Sequence, residues 1–317
     1  MHSKPPIPFD EQGLLAGGTT AKTPARAQAL DPQALSRHRR RLSGAETSPW
    51  LHEEVARRMA ERLSYIKLQP QQILQWSPFL GGGSAELAQA YPQAQQLLVE
   101  SDPALLARST ALHKKPWWQA WKSGAAAKVL APQDLAGQQV QLLWANMDLH
   151  SHAELPQILA LWNASLAVDG FVMFSCLGPD SFVELRRIFA TQGWGAAGPE
   201  WWDMHDIGDL LVQAGFGDPV MDQERIQLTW AEPQSLLKDL RALGGNIAPT
   251  RFAGCRGKTW HRELLQALES LRGADGRLKL SVEIVYGHAF KPPPKLRVSA
   301  ETSVTLEQMR AMVRKTS

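Results

Sequence analysis

The run Gln72-Ile73-Leu74-Gln75-Trp76-Ser77-Pro78-Phe79-Leu80-Gly81-Gly82-Gly83 constrains this chain more than any other. An apolar stretch feeds a glycine-rich turn, Ser84-Ala85-Glu86-Leu87-Ala88 continues as a helix, and a second apolar stretch, Leu97-Leu98-Val99, ends in Glu100. A strand, a Gly-rich turn, a helix and a second strand closing on an acid about twenty residues on is how nucleotide-binding α/β sheets begin. The turn departs from that pattern, because Pro78 and Phe79 stand where such a loop needs bare backbone.

From there the chain alternates short apolar runs with helical segments. Strands are expected at 72–77, 95–100, weakly at 127–130, then at 139–145 and 170–176, with helices at 83–90, 103–112 and 154–167 between them. Such alternation argues for an α/β fold with a mostly parallel sheet covered on both faces. Helices follow near 181–192 and 204–214, then a long strand at 219–230, helices near 233–243 and 259–272, and a last strand at 278–289. The segment 233–275 is expected as a small helical cap over the strand ends, where ligands of such sheets bind.

Upstream, residues 1–30 are rich in Pro, Gly, Thr and Ala without periodicity and read as a mobile tail. Asp31-Pro32 opens a helix to about residue 42, and Ser48-Pro49 caps a second whose apolar positions Leu51, Val55, Met59 and Leu63 recur every four residues. These helices fill 31–70 as an N-terminal extension of a domain spanning 31–291. The remainder, 292–317, reads as a linker with a frayed helix near 304–314.

Bulk properties exclude several classes. Hydrophobic residues at 44% and charged residues at 21% suit a globular chain, and a net charge of +3 is too mild to imply nucleic acid. The basic run Arg37-His38-Arg39-Arg40-Arg41 reads as a solvated helix face or a surface for an acidic partner. Cys176 and Cys255 make no disulfide framework, and His150 and His152 have no third ligand at a recognisable spacing, so no metal site is assigned. No run approaches the roughly 20 apolar residues of a membrane span, and the N-terminus has no apolar export signal. A cytoplasmic protein is expected.

Several runs together resemble the class I S-adenosylmethionine-dependent methyltransferases, and within them the malonyl-acyl-carrier-protein O-methyltransferases of biotin synthesis. They are Leu142-Leu143-Trp144-Ala145-Asn146-Met147-Asp148-Leu149-His150, Val168-Asp169-Gly170-Phe171-Val172-Met173-Phe174-Ser175, Asp203-Met204-His205-Asp206-Ile207-Gly208-Asp209 and Val285-Tyr286-Gly287-His288-Ala289. The resemblance covers about residues 31–291. It implies a Rossmann-like, seven-stranded, mostly parallel sheet with helices on both faces, S-adenosylmethionine as cofactor, and methylation of the free carboxylate of an acyl group on an acyl-carrier protein. In the family the first strand ends in an acid followed by a G-x-G-x-G turn. Here the acid position falls on Gln75 and the glycines on Ser77, Phe79 and Gly81.

The resemblance places Gly81, Glu100, Asn146 and Met147 at the cofactor and Arg251 and Arg256 at the substrate. Glu100 can accept from both ribose hydroxyls or be a solvated strand-end acid. Asn146 and Met147 can line the cofactor or be a packed strand end, and Gly81-Gly82-Gly83 can supply a displaced turn. The family's adenine-binding acid would fall near Lys128-Val129, which cannot accept that bond, and Asp134 lies beyond. A bidentate arginine suits an anionic carboxylate, yet a loop arginine can also be merely solvated. The family's site-closing tyrosine is absent between 31 and 50, with Trp50 as the nearest aromatic. Trp117, Trp118 and Trp121 form a cluster fit for packing on a sheet edge or for stacking on a partner. Methyl transfer to a carboxylate requires alignment and desolvation, so no nucleophilic triad is expected. The lost glycines leave a second alternative, a catalytically inactive pseudo-methyltransferase that binds or assembles with another protein.

Overall fold

The computed structural model describes residues 29–113 and 127–294. The Trp117, Trp118 and Trp121 cluster, the C-terminal helix near 304–314 and nearly all of the expected N-terminal tail lie outside them. Among the described residues β1 (Gln72–Trp76), β2 (Gln95–Val99), β3 (Lys128–Leu130), β4 (Val140–Ala145) and β5 (Leu166–Leu177) are parallel neighbours. β7 (Leu278–Phe290) runs antiparallel to β5 and to β6 (Gly217–Trp230). The seven strands lie in the order β3-β2-β1-β4-β5-β7-β6. This is the seven-stranded, mostly parallel architecture the resemblance implies. The order reverses between β1 and β4, which opens a crevice at their carboxyl ends.

Alternation along β1 shows how the sheet is covered. Ile73 joins the core on one face, while Leu74 and Trp76 join the core on the other. The first face is covered by α2 (Trp50–Glu61), α4 (Ser84–Ala90), α7 (Val183–Thr191), α9 (Pro233–Ala242) and α10 (Lys258–Leu268). The second is covered by α6 (Leu155–Ser165) and α8 (Met204–Gln213). On α2, Leu51, Val55 and Met59 are all fully buried, so truncating the Leu or the Met to Ala should cost about 2–5 kcal/mol. α1 (Pro32–Ser43) starts on Asp31, whose carboxylate accepts from Ala34 N–H at 2.7 Å, with Pro32 in the first turn.

Some local expectations are corrected. Residues 78–81 form a helical turn, α3 (Pro78–Gly81), entered through Ser77 in the left-handed region at φ 50°. Ser48 does not cap α2; its hydroxyl donates to Leu80 O at 2.9 Å, and Pro49 takes the cap position. β5 begins at Leu166 rather than 170, because Asp169 adopts φ 63° within an irregular register against β4 instead of ending a loop. Gly170 is required there, since a Cβ would lie 2.9 Å from Ala167 O. The basic run is no purely solvated face. His38 is buried, and Arg39 and Arg41 reach out of α1 to Ser151 O and Gly244 O.

Candidate functional site

At the crevice the carboxyl ends of β1, β2 and β4 bring Ser77, Glu100 and Asn146 together. Glu100 is 1% exposed, and its Oε1 accepts from the Phe79 N–H and from Ser109 Oγ, each at 3.2 Å. Ser109 stands on α5 (Pro103–His113). The second oxygen, Oε2, is buried with no partner. Burial pushes the carboxyl up to about 7, against the lowering effect of those two hydrogen bonds.

The turn that caps Glu100 is tied down from both sides. The Arg108 guanidinium of α5 lies 4.0 Å over the Phe79 ring and donates to Ala45 O at 2.5 Å and Glu46 O at 2.6 Å, in the linker between α1 and α2. Leu80 O accepts from Ser48 Oγ and, at 2.8 Å, from His52 Nδ1. His52 is buried, which pulls its pKa down to about 4, so at neutral pH it is an uncharged Nδ1–H tautomer. With Leu80 and α1 in place, about 40 Å³ of open space remains over the ends of β1 and β4.

The glycines of the turn serve close packing. A Cβ on Gly81 would lie 2.9 Å from Asn146 O, one on Gly82 2.6 Å from Glu53 Oε2, and one on Gly83 3.1 Å from Ala56 Cβ and Trp144. Gly82 and Gly83 have φ of 69° and 86°, so the displaced turn exists and leans on α2 and β4. Gln75, at the family's acid position, accepts from Ser84 Oγ at 2.6 Å and donates to Gln96 at 2.9 Å, anchoring the start of α4.

Asn146 is a crosslink. Its Nδ2 donates to His52 O at 2.8 Å and to Gly81 O, and its Oδ1 accepts from Ser175 Oγ at 2.6 Å. Ser175 in turn accepts from the Met147 N–H at 3.0 Å, with Met147 held at φ 52°. Asp148 completes the floor, accepting from Trp76 Nε1 at 2.9 Å, Ser77 Oγ at 3.0 Å and His152 Nε2 at 2.6 Å. Burial alone would raise its pKa, but the His152 charge and the hydrogen bonds from His152 and Ser77 hold it down to about 2.

Beyond Met147 a cavity of about 670 Å³ opens between the sheet ends, α1, α2, α7, α9 and α10; α9 and α10, expected as a cap over the strand ends, also cover one face of the sheet. His38, His52 and Met147 lie on its inner side, and Trp194, Trp201 and Trp260 contribute aromatic wall. Arg251 also lines it. Its Nη1 pairs with Asp31 at 2.7 Å and reaches Ala248 O, so Nε and Nη2 remain for another acceptor. Arg256 is built into the wall, donating to Trp194 O and stacking 4.1 Å over Phe252 and 4.5 Å over Trp260.

No family model matches the chain. Curated relatives do. A malonyl-[acyl-carrier protein] O-methyltransferase of Gallionella capsiferriformans is 38% identical over 262 residues, 81% of this chain and 89% of the relative. The enzyme of that name from Laribacter hongkongensis is 36% identical over 78% of this chain and 84% of its own, and that from a Methylovorus species 32% over 86% and 93%. The chain belongs to the malonyl-[acyl-carrier protein] O-methyltransferase family.

The sheet is that of the class I methyltransferases, and the turn after β1 closes over Glu100. Asn146 and Met147 line the crevice, Gly81 accepts from Asn146, Glu100 is buried beneath the Phe79 N–H, and Arg251 and Arg256 line the adjoining cavity. Asp134 caps its own turn, accepting from the Ala131 N–H at 3.4 Å, and Trp50 is 42% exposed. Among the described residues no group of three metal-ligating side chains occurs, and no helix is long and apolar enough to cross a membrane. Sequence reasoning missed His52, Arg108 and the Asp148 hub. Asp148 lay inside a motif already singled out, but nothing in its spacing announces Trp76 and Ser77 as donors.

Proposed function

We propose that this chain is an enzyme that transfers a methyl group from S-adenosylmethionine to the free carboxylate of an acyl group on an acyl-carrier protein. The observation that carries this reading is the 38% identity spread over 89% of a malonyl-[acyl-carrier protein] O-methyltransferase. The geometry adds a buried carboxylate with one oxygen unpartnered at the end of β2, the acceptor that a ribose diol would satisfy. The donor and acceptor set therefore fits the cofactor. Glu100 Oε2 is the acceptor open to it and Met147 lines the crevice, whereas Asn146 and the Gly81 backbone are engaged with His52, Ser175, Ser77 and each other and become holders only when the turn opens. The space must be made, because about 40 Å³ is far below the several hundred that a ligand of this size occupies. Binding thus requires the turn Pro78–Gly81, α1, or both to move outward.

When bound, the cofactor supplies an electrophilic methyl carbon, which the acceptor's carboxylate oxygen takes as the carbon–sulfur bond breaks. The chain's own residues position and dry the acceptor. The apolar cavity excludes water from the attacking carboxylate, which strips its hydration and leaves it a better nucleophile. Arg251 holds an anionic or carbonyl oxygen of the acceptor through Nε and Nη2, the Asp31 pair fixing its plane. No proton is transferred, so no side chain acts as a base.

Calorimetric titration with S-adenosylmethionine and its demethylated product is the test. We expect micromolar binding that weakens when Glu100 is changed to Ala, and methyl ester formed on malonyl-carrier protein. At 100 times its dissociation constant the ligand should add about 2.7 kcal/mol to the folded state. No binding at millimolar ligand would overturn the assignment in favour of a binding-only relative.

A further inference from the structure

Charge is spread unevenly over this molecule. Away from the large cavity, surface arginines face carboxylates: Arg57 pairs with Glu54, Arg62 with Asp222 and Arg225 with Asp180. The cavity mouth is different. Its lining holds Arg41, Arg241, Arg251 and Arg256 and, among the described residues, no Asp or Glu. Arg251 is paired with Asp31, and Arg256 is spent on Trp194 O and two rings. Arg41 and Arg241 are exposed and have no ion-pair partner among the described residues.

Two helix ends meet at this rim. Arg41 Nη1 donates to Gly244 O at 3.1 Å, which holds the last turn of α1 against the chain leaving α9, where Arg241 stands. Arg37 and Arg40 lie four residues and one residue before Arg41 on α1; both are exposed, and neither has an ion-pair partner among the described residues. A basic last turn suits the negative end of a helix dipole, which accounts for Arg40, Arg41 and Arg241 one at a time. It does not account for two such ends side by side with Arg37 added, because like charges this close repel. The net charge of the chain is only +3, so the excess is local. The same rim carries Phe252, 52% exposed, with the Arg256 guanidinium 4.1 Å from its ring centroid. Arginines around an exposed aromatic ring are the composition of a protein interface.

The acceptor of the methyl-transfer reading arrives tethered to a protein. Its carboxylate must reach Arg251 while the carrier stays outside, so the carrier's body rests on the rim and the arm that holds the acyl group lies in the cavity. The arm accounts for a volume of about 670 Å³, far beyond what a three-carbon diacid fills.

We propose that Arg37, Arg40, Arg41 and Arg241, with Phe252, form the docking surface for an acidic face of the carrier protein. Recognition then rests on the carrier's body as well as on its acyl group. The partner's identity rests on the methyl-transfer reading above, whereas docking itself needs neither cofactor nor acyl group.

The experiment is a titration of the full chain with unacylated acyl-carrier protein, without cofactor, followed by calorimetry and by anisotropy of labelled carrier. We expect saturable one-to-one binding that weakens several-fold between about 0.05 and about 0.3 M salt. Reversing two charges together, Arg37→Glu with Arg40→Glu, should weaken it about tenfold. The same variant should raise the KM for malonyl-carrier protein by a similar factor and leave the KM for a small malonyl thioester unchanged. If it melts early, Arg37→Ala with Arg40→Ala should still weaken binding about threefold and flatten its salt dependence. Carrier binding that ignores salt and both variants overturns the inference even if malonyl-carrier protein is methylated. Binding to anionic phospholipid vesicles but not to the carrier overturns it in favour of a membrane surface. Carrier binding lost in the variants, without methylation of any acceptor, supports the docking surface and overturns the methyl-transfer reading instead.

Discussion

The Phe79 N–H donates to Glu100 Oε1 across 3.2 Å, so the turn that leaves β1 caps the acid that ends β2. Phe79 stands at a family glycine position, yet its ring does not point into the crevice. It lies under Arg108, and the backbone beside it occupies Glu100.

Glu100 makes stability pH-dependent in a defined direction. Its pKa rises from 4.5 to about 7 on folding, so the folded state holds the proton more tightly. That contribution is complete below pH 4.5 and is lost as pH rises to about 7, a change of roughly 3 kcal/mol at most. Glu100→Gln imitates the protonated form. Urea melts should show the variant gaining on the wild type between pH 4.5 and 7, and a gap that stays constant across that window would refute the assignment.

Arg108 clamps the turn through Phe79 and ties it to Ala45 and Glu46. Arg108→Ala should therefore bind the cofactor about tenfold more tightly than wild type while losing about 1 kcal/mol of stability. Calorimetry with the demethylated cofactor reads the first effect; an unchanged or weaker affinity would show that the clamp does not hold the site shut.

Asp148 satisfies Trp76, Ser77 and His152 in a buried position. Asp148→Ala leaves two neutral donors and a histidine without their acceptor, and we expect a loss of about 3–5 kcal/mol at pH 7. Because its folded pKa is depressed to about 2, the ionisation-linked part of Asp148's contribution is present above pH 3.8 and disappears as pH falls through 2. Denaturant midpoints of the two proteins should converge only at the acid end.

Gly83 and Gly137 separate strain from crowding. Both have positive φ, 86° and 81°, but a Cβ on Gly83 meets Ala56 and Trp144 at 3.1 Å while one on Gly137 meets nothing within 4 Å. Gly137→Ala should cost about 1 kcal/mol and Gly83→Ala about 2–3 kcal/mol by thermal melts. Equal costs would mean that α2 yields freely.

For Arg251, substitution by Ala should raise the KM for the carrier-linked acceptor at least tenfold and leave cofactor affinity within twofold. Asp31→Asn removes the ion pair but keeps the arginine, and should raise KM only slightly. Equal effects from the two would assign Arg251 to holding α1 instead.

Much of this was legible because it is local. β1, β2, β4 and β7 are apolar runs bounded by turn residues, and the α2 stripe of Leu51, Val55 and Met59 follows helical periodicity into full burial. The position of Glu100 followed from its distance to the turn. What the turn does was not legible, since its path depends on Arg108 and Ser48, which belong to other elements and carry no spacing rule. The aromatic wall was invisible for the same reason. Trp194, Trp201 and Trp260 come from a loop and a helix far apart in sequence, and only the fold brings them to one cavity.

The closed turn also has a kinetic meaning. If the cofactor enters only after Arg108 releases Phe79 and the α1–α2 linker, its observed association rate will rise with concentration and then level off at the opening rate. Protein mixed rapidly with excess cofactor would then wait on its own turn and N-terminal helix, and that opening rate would cap the pace of every turnover.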